Sequence, residues 1–389
     1  MWNVLKDLTD IYRTILTLPM LKFFKFSIGG PNLSISLPMI TNKQFSTIEY
    51  LLLDHDCTRN ELSNIISYTP KLRHLYFMHA EDDNSNIENI LPMTLTHLTV
   101  CLYDVTFDEF EMFITKIYSK LKVLYISIKS EDIVYFNAAR WEQFILQYLP
   151  QLEKFNFIYS EHINFENESP SYFDESNQFT SSFWIERRWL FEAEIDVEEI
   201  IYSVRPYRKR WYEYDTQHKN VNSTQYSKSN RLTLTFVPSD ECLELFIVDI
   251  NRVLSLVQIY YLEIPKEKIF IGILLQIIDL LPELNSLKLH SLSLSEPRVL
   301  CEEEVDILTS TEDTRRINNM NVELFVQNIL EKINAEHNDH LRLLCFHIPT
   351  ADDEMIKKLH KMIDVKKLLS DYTIKRVQKN IYLQWKLFQ

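Results

Sequence analysis

Arg205, Arg208, Lys209 and Arg210 are interleaved with Tyr207 and Trp211. Cations alternating with rings are the local texture of a phosphate or nucleic-acid contact, in which charge follows the backbone and aromatics stack on bases. The acids Glu192, Glu194, Glu198, Glu199, Glu213 and Asp215 stand close by in sequence, and they predict an internally paired strand in which carboxylates meet these arginines. His74 and His97 raise a second possibility, since a parallel pairing of their segments would bring them within ~5 Å, with His79 or Cys101 nearby as further metal ligands. Val123 occupies the next equivalent position and no carboxylate is placed as a third ligand, so no metal is expected. Asp54, His55, Asp56 and Cys57 imitate a Cys/His pair, but adjacent strand residues face opposite ways, and the cluster reads as a turn into Thr58. His79-Ala-Glu81 has no partner motif that would complete a deaminase site.

The chain of 389 residues has three glycines, Gly29, Gly30 and Gly272, where about 7% would be usual. The dinucleotide fingerprint, the P-loop and the nucleophile elbow each need glycines at fixed offsets, so none can be assembled. HExxH and DFG are absent as well. These absences predict a protein with no catalytic residues and no cofactor. Lys plus Arg is 41 and Asp plus Glu is 55, a net charge of −14, which disfavours broad binding to nucleic acid or to an anionic membrane. Five scattered cysteines without a CxxC read as reduced thiols, and no apolar run reaches the ~20 residues of a membrane span. A cytoplasmic or nuclear protein is expected.

Elements that could position side chains emerge from one hexamer, an apolar residue followed by others at +3 and +5. It begins at Leu21, Ile48, Leu72, Leu95, Leu121, Leu152, Val257, Leu284 and Leu341. The first six starts lie 27, 24, 23, 26 and 31 residues apart, near the period of leucine-rich repeats. Pro19, Pro70, Pro150 and Pro282 each precede a lead residue by two, and Pro92 precedes Leu95 by three. The register therefore reads helix, proline stop, turn, strand. Thr58 with Glu61 and Thr106 with Glu109 have capping-box spacing, and Asn137 is placed to cap a helix with the stripe Trp141, Phe144, Ile145 and Tyr148. Further helices are predicted at 270–281 and 322–333.

Two stretches interrupt the register. Between Leu152 and Val257, Phe183, Ile185, Trp189, Phe191, Ala193 and Ile195 alternate as in a strand, and two or three more strand candidates follow, which together predict an antiparallel insert. The second stretch, 291–321, carries Glu302, Glu303 and Glu304 and reads as a solvated loop. Ile381, Leu383, Trp385 and Leu387 alternate and predict a closing edge strand.

The helix-proline-LxxLxL units, the low glycine content and the segments FWIERRW and IIYSVRPYRKRW resemble the C-terminal, leucine-rich-repeat-like region of invertebrate F-box proteins. Two departures accompany the resemblance. Leu18-Pro19 runs straight into the Leu21 unit, so the F-box itself is expected to be absent; and the asparagine or cysteine of a leucine-rich repeat is replaced at +8 by Ala80, Tyr103, Lys129 and Ser160. The resemblance implies substrate recognition for a ubiquitin ligase, with ligase components among the partners.

The expected fold is α/β, a degenerate leucine-rich-repeat-like solenoid with a parallel sheet on its inner face and an antiparallel insert. Residues 1–160 carry N-terminal repeats, 161–238 the polar loop and β insert, and 239–389 the C-terminal repeats. The expected function is a non-catalytic protein–protein interaction module, with a scaffold unrelated to ubiquitin and a phosphate- or RNA-binding protein as the alternatives. Strand residues between the buried leucines would face the partner: His74, Tyr76, His97, Thr99, Val123, Tyr125, Lys154, Asn156, Ser286 and Lys288. Arg205, Arg208, Arg210 and Trp211 form the second candidate surface.

Overall fold

Proline at the second position of a β-turn is pre-set for the φ that the turn requires, which is how the recurrent prolines act. Leu72 donates its N–H to the Thr69 carbonyl, Leu152 to Leu149 and Leu284 to Leu281, at 3.0, 3.0 and 2.9 Å, with Pro70, Pro150 and Pro282 second in each turn. A helix ends there and a strand begins two residues beyond the lead leucine. The computed structural model describes residues 7–28, 34–37, 45–79, 94–115, 120–163, 179–208, 230–238, 243–293, 326–327, 329–331, 341–348 and 352–386. Gly29, Gly30, Pro92, the segment 294–321 and most of 322–333 lie outside them. The protein is mixed α/β with mostly parallel strands, and its residues fall into two compact units.

The first unit holds residues 1–162, 174–191 and 201–208. Its strands β1 (Phe23–Ser27), β2 (Tyr50–Cys57), β3 (His74–His79), β4 (His97–Tyr103), β5 (Val123–Lys129) and β6 (Lys154–His162) pair in chain order, each parallel to the last. Helices α1 (Thr9–Leu16), α2 (Arg59–Ser67), α3 (Phe107–Thr115) and α4 (Ala138–Tyr148) connect or precede them, with a 3-10 turn at Ile133–Phe136. Thr58 and Glu61 cap α2 reciprocally, Thr106 and Glu109 cap α3 in the same way, and Asn137 accepts from the Arg140 N–H at the start of α4.

The buried strand residues are Leu51, Leu53, Leu75, Phe77, Leu98, Val100, Leu124, Ile126, Phe155 and Phe157. Ring contacts of Phe77 with Phe113, and of Trp141 with Phe155 and Phe157, place the helices on that face. Hydroxyls take the part of the missing asparagine or cysteine. Thr47 donates to the carbonyls of Pro19 and Leu21 and Thr94 to those of Pro70 and Leu72, while at the strand exits the phenols of Tyr135 and Tyr159 meet the carbonyls of Val105 and Ser130.

The predicted strand across Phe183–Ile195 is corrected. Ser182–Arg187 is a helix, α5, closed by Arg188 at φ 55°, and β7 covers only Trp189–Ile195. Phe183 and Trp184 are both buried, a helical pairing of neighbours that strict alternation would not allow. β8 (Glu199–Pro206) returns beside β7: Asp196 bonds the Glu199 carbonyl and Tyr207 that of Arg188, so the two strands are antiparallel. Among the described strands between Trp189 and Leu234, β8 alone runs against its neighbour β7, because β9 (Arg231–Leu234) runs parallel to β7.

The second unit holds residues 163–173, 192–200 and 209–389. Here β9, β10 (Tyr261–Phe270), β11 (Ser286–Ser293) and β12 (Leu343–His347) are parallel. β14 (Asn380–Lys386) pairs antiparallel with both β12 and β13 (Asp371–Val377). The helices are α6 (Leu243–Leu256), α7 (Ile271–Asp279, containing Gly272) and α8 (Asp353–Lys366). Two sequence expectations change. Leu262 pairs with Leu287, so the lead residue of this repeat is Ile259 and the Val257 hexamer was two residues early. The C-terminal alternation is real through Trp385, but β14 is flanked on both sides and β13 takes the edge.

Candidate binding surface

Because strand side chains alternate, burial of Leu75, Leu98 and Leu124 against helices turns their neighbours to the other face. Parallel pairing then aligns equivalent positions into rows. One row reads Phe23, Tyr50, His74, His97, Val123, Lys154; the next reads Lys25, Leu52, Tyr76, Thr99, Tyr125, Asn156. All twelve are exposed or half-exposed. His74, Tyr76, His97, Thr99, Tyr125, Lys154 and Asn156 therefore share one open face.

Tyr50 stacks on His74 with ring centroids 4.3 Å apart, and His74 stacks on His97 at 3.9 Å. Phe23 extends the series at 6.4 Å from Tyr50. Among the described residues no third metal-ligating group joins the histidine pair. Thr96 spends its hydroxyl proton on the Arg73 carbonyl and so accepts from the Nδ1–H of His97. Both histidines are held below the ordinary imidazole range. For His74 partial burial comes first, then His97 and Arg73; for His97 burial is followed by Lys154, with Glu153 opposing and Lys122 reinforcing. Burial lifts the Tyr76 phenol to about 12 and also raises the Cys101 thiol beside it. Neutral imidazoles, a protonated phenol and a protonated thiol give this face hydrogen bonding and apolar contact at neutral pH.

Charges border the rows at the strand entries. Lys22 and Arg73 both meet Glu49, at 3.2 and 3.7 Å, and Lys122 meets Glu153 at 2.7 Å. Phe23 and Tyr50 were missed by the sequence reading, although each stands at +2 of its hexamer, the position that gave His74 and His97.

The other candidates lie elsewhere. Lys288 belongs to the second unit, where a ladder runs Glu192, Arg231, Glu263, Lys288 with ion-pair distances of 3.1, 3.2 and 2.7 Å. Ser286, one row away, is buried. Arg205 stands next to last in β8 and Arg208 follows the strand, both exposed, while Arg210 and Trp211 lie outside the described residues. Glu192, one of the acids expected to meet those arginines, is bound by Arg231, whose position in β9 brings it beside β7. No signal in the sequence joins Glu192 to Arg231 to Glu263, since their meeting depends on the register of three strands. Further along, His290 stacks on His347 at 4.7 Å, and His347 bonds the Asn380 amide.

No protein-family model matches the chain, and no curated protein matches it either. Among the described residues no helix is long and apolar enough to cross a membrane.

Proposed function

We propose that the protein is a non-catalytic protein–protein interaction module, a degenerate leucine-rich-repeat-like solenoid that docks a partner on the open face of β1–β6. The observation that carries this reading is the run Phe23, Tyr50, His74 and His97, continued on the adjacent row by Tyr76 and Tyr125. Aromatic side chains left half-exposed on a rigid sheet offer large contact area at low entropic cost, which is the character of interface anchors. Parallel pairing fixes their spacing before any partner arrives.

A photo-crosslinking residue replacing Tyr125 tests this directly, with one replacing the exposed helix residue Leu146 as control. A partner captured at position 125, absent at 146, and lost on His97→Ala supports the reading. Equal capture at both positions removes it. The role in substrate recognition for a ubiquitin ligase rests on the family resemblance alone. Recovery of a cullin and its adaptor with the protein supports that role; their absence leaves a scaffold with no link to ubiquitin.

A further inference from the structure

We propose that the open face of β1–β6 takes an extended acidic segment of its protein partner. The inference rests on the docking role above and adds the chemistry of what docks. On these six strands and the residues immediately before them, the basic residues of the open face and strand entries are Lys22, Lys25, Arg73, Lys122, Lys129 and Lys154, against the acids Glu49, Asp54 and Glu153 and, by its register with Met78, Asp56. This surface is positive in a chain whose net charge is −14.

Three of these acids are already engaged. Glu49 serves Lys22 and Arg73, Glu153 serves Lys122, and Asp54 accepts from the Ser27 hydroxyl at 2.8 Å. Lys25, Lys129 and Lys154 make no ion pair among the described residues. Two of these lysines stand at opposite ends of the rows, Lys25 on β1 and Lys154 on β6. Adjacent strands are ~4.8 Å apart, so these ends are roughly 24 Å from each other, a distance that about seven extended residues cross.

Ring orientation narrows the partner further. His74 has Tyr50 on one face and His97 on the other, both within stacking distance. The row therefore presents ring edges outward, and the edge of Tyr50 carries the positive side of its ring quadrupole. The Tyr50 edge and the lysines favour carboxylates. Single-stranded nucleic acid needs open ring faces on which bases can stack, and the inner rings of this row have none to offer.

The test uses the full chain and three fluorescent probes: a nine-residue peptide alternating glutamate with serine, its lysine counterpart, and a twelve-nucleotide oligouridylate. Anisotropy at low salt is expected to show the glutamate peptide binding at least tenfold more tightly than either of the others, with affinity falling as salt screens the charges. Lys25→Glu/Lys154→Glu is expected to weaken that binding about tenfold or more. Both residues are exposed, and an unchanged melting curve confirms that the variant folds. Binding of the glutamate peptide no better than the lysine peptide, or unaltered by the double reversal, overturns the proposal. Preferential binding of oligouridylate abolished by the same reversal overturns it in favour of nucleic acid. Partner-specific crosslinking at position 125 to a segment without acids also overturns it while leaving the docking role standing; loss of that crosslinking defeats the docking role itself.

Discussion

His97 and Leu98 are neighbours on β4, and replacing each in turn by alanine measures whether the two faces differ as the docking role requires. Leu98 is fully buried, aligned between Leu75 on β3 and Leu124 on β5. Truncating a leucine in such a setting costs about 2–5 kcal/mol, because the lost transfer energy is joined by a cavity that the strands on either side cannot close. His97 is half-exposed and loses one stacked ring contact, at 3.9 Å, together with a bond from Nδ1 to the Thr96 hydroxyl that water can replace. Its truncation should cost about 1 kcal/mol or less.

Urea unfolding followed by circular dichroism separates the two cases. Leu98→Ala should lower the midpoint with an unchanged slope, and its melting temperature should fall by roughly 2–4 °C for each kcal/mol lost in a unit of this size. His97→Ala should leave the midpoint nearly where it was. A His97→Ala cost equal to that of Leu98→Ala would mean that the supposedly open face is covered, and the docking surface would not exist. A Leu98→Ala cost under about 1 kcal/mol would mean that the helices pack on the other face.

Folded-state imidazole pKa values of His74 and His97 lie below the ordinary 6.5, so below about that pH the unfolded chain binds more protons and stability falls as pH drops. His74→Gln/His97→Gln should flatten the dependence of the melting temperature between about pH 7.5 and 5, and superimposable curves would contradict this. Arg231→Met should destabilise the second unit by about 2 kcal/mol, less than the 3–5 of a fully buried pair because Arg231 retains some exposure. Adding Glu192→Gln/Glu263→Gln should recover part of the loss, since the two carboxylates would otherwise remain without their shared cation. Thr58→Ala removes the capping box of α2 and should lower stability by about 1 kcal/mol, read from the same urea midpoint.

Much of the first unit is legible in the sequence because its information is local. A proline two residues before a leucine sets a turn, the turn sets where the strand starts, and period-two burial then decides that His74 and Tyr76 share a face. Tertiary packing decides what the local pattern leaves ambiguous. Phe183 and Ile185 stand two apart as strand residues on one face would, with Trp184 between them, yet they lie in the helix α5, whose Trp184 packs against Phe155, Phe179 and Trp189. Six residues of alternation satisfy either period, and only the packing of Trp184 settles which. The ladder from Glu192 to Lys288 is illegible for a different reason: each step depends on a strand pairing between distant segments.

Net charge is a poor guide to what such a surface binds, because parallel repeats sort residues by register. Each position of a hexamer lands in its own row and alternate positions share a face, so a few lysines of the same parity can make a face positive whatever the rest of the chain carries. Acids placed on helices illustrate the complement: Asp108 and Glu111 of α3 are both met by Arg140 of α4, away from the open face. A total of −14 sets the average potential felt at long range and supports solubility. Within a Debye length of roughly 8–10 Å, however, a docked segment meets Lys25, Lys129 and Lys154 before it meets any helix acid. Charge reversal at Lys25 and Lys154 would change the protein's total by only four units, yet it would invert the sign at opposite ends of the two adjacent rows where the partner is expected to lie.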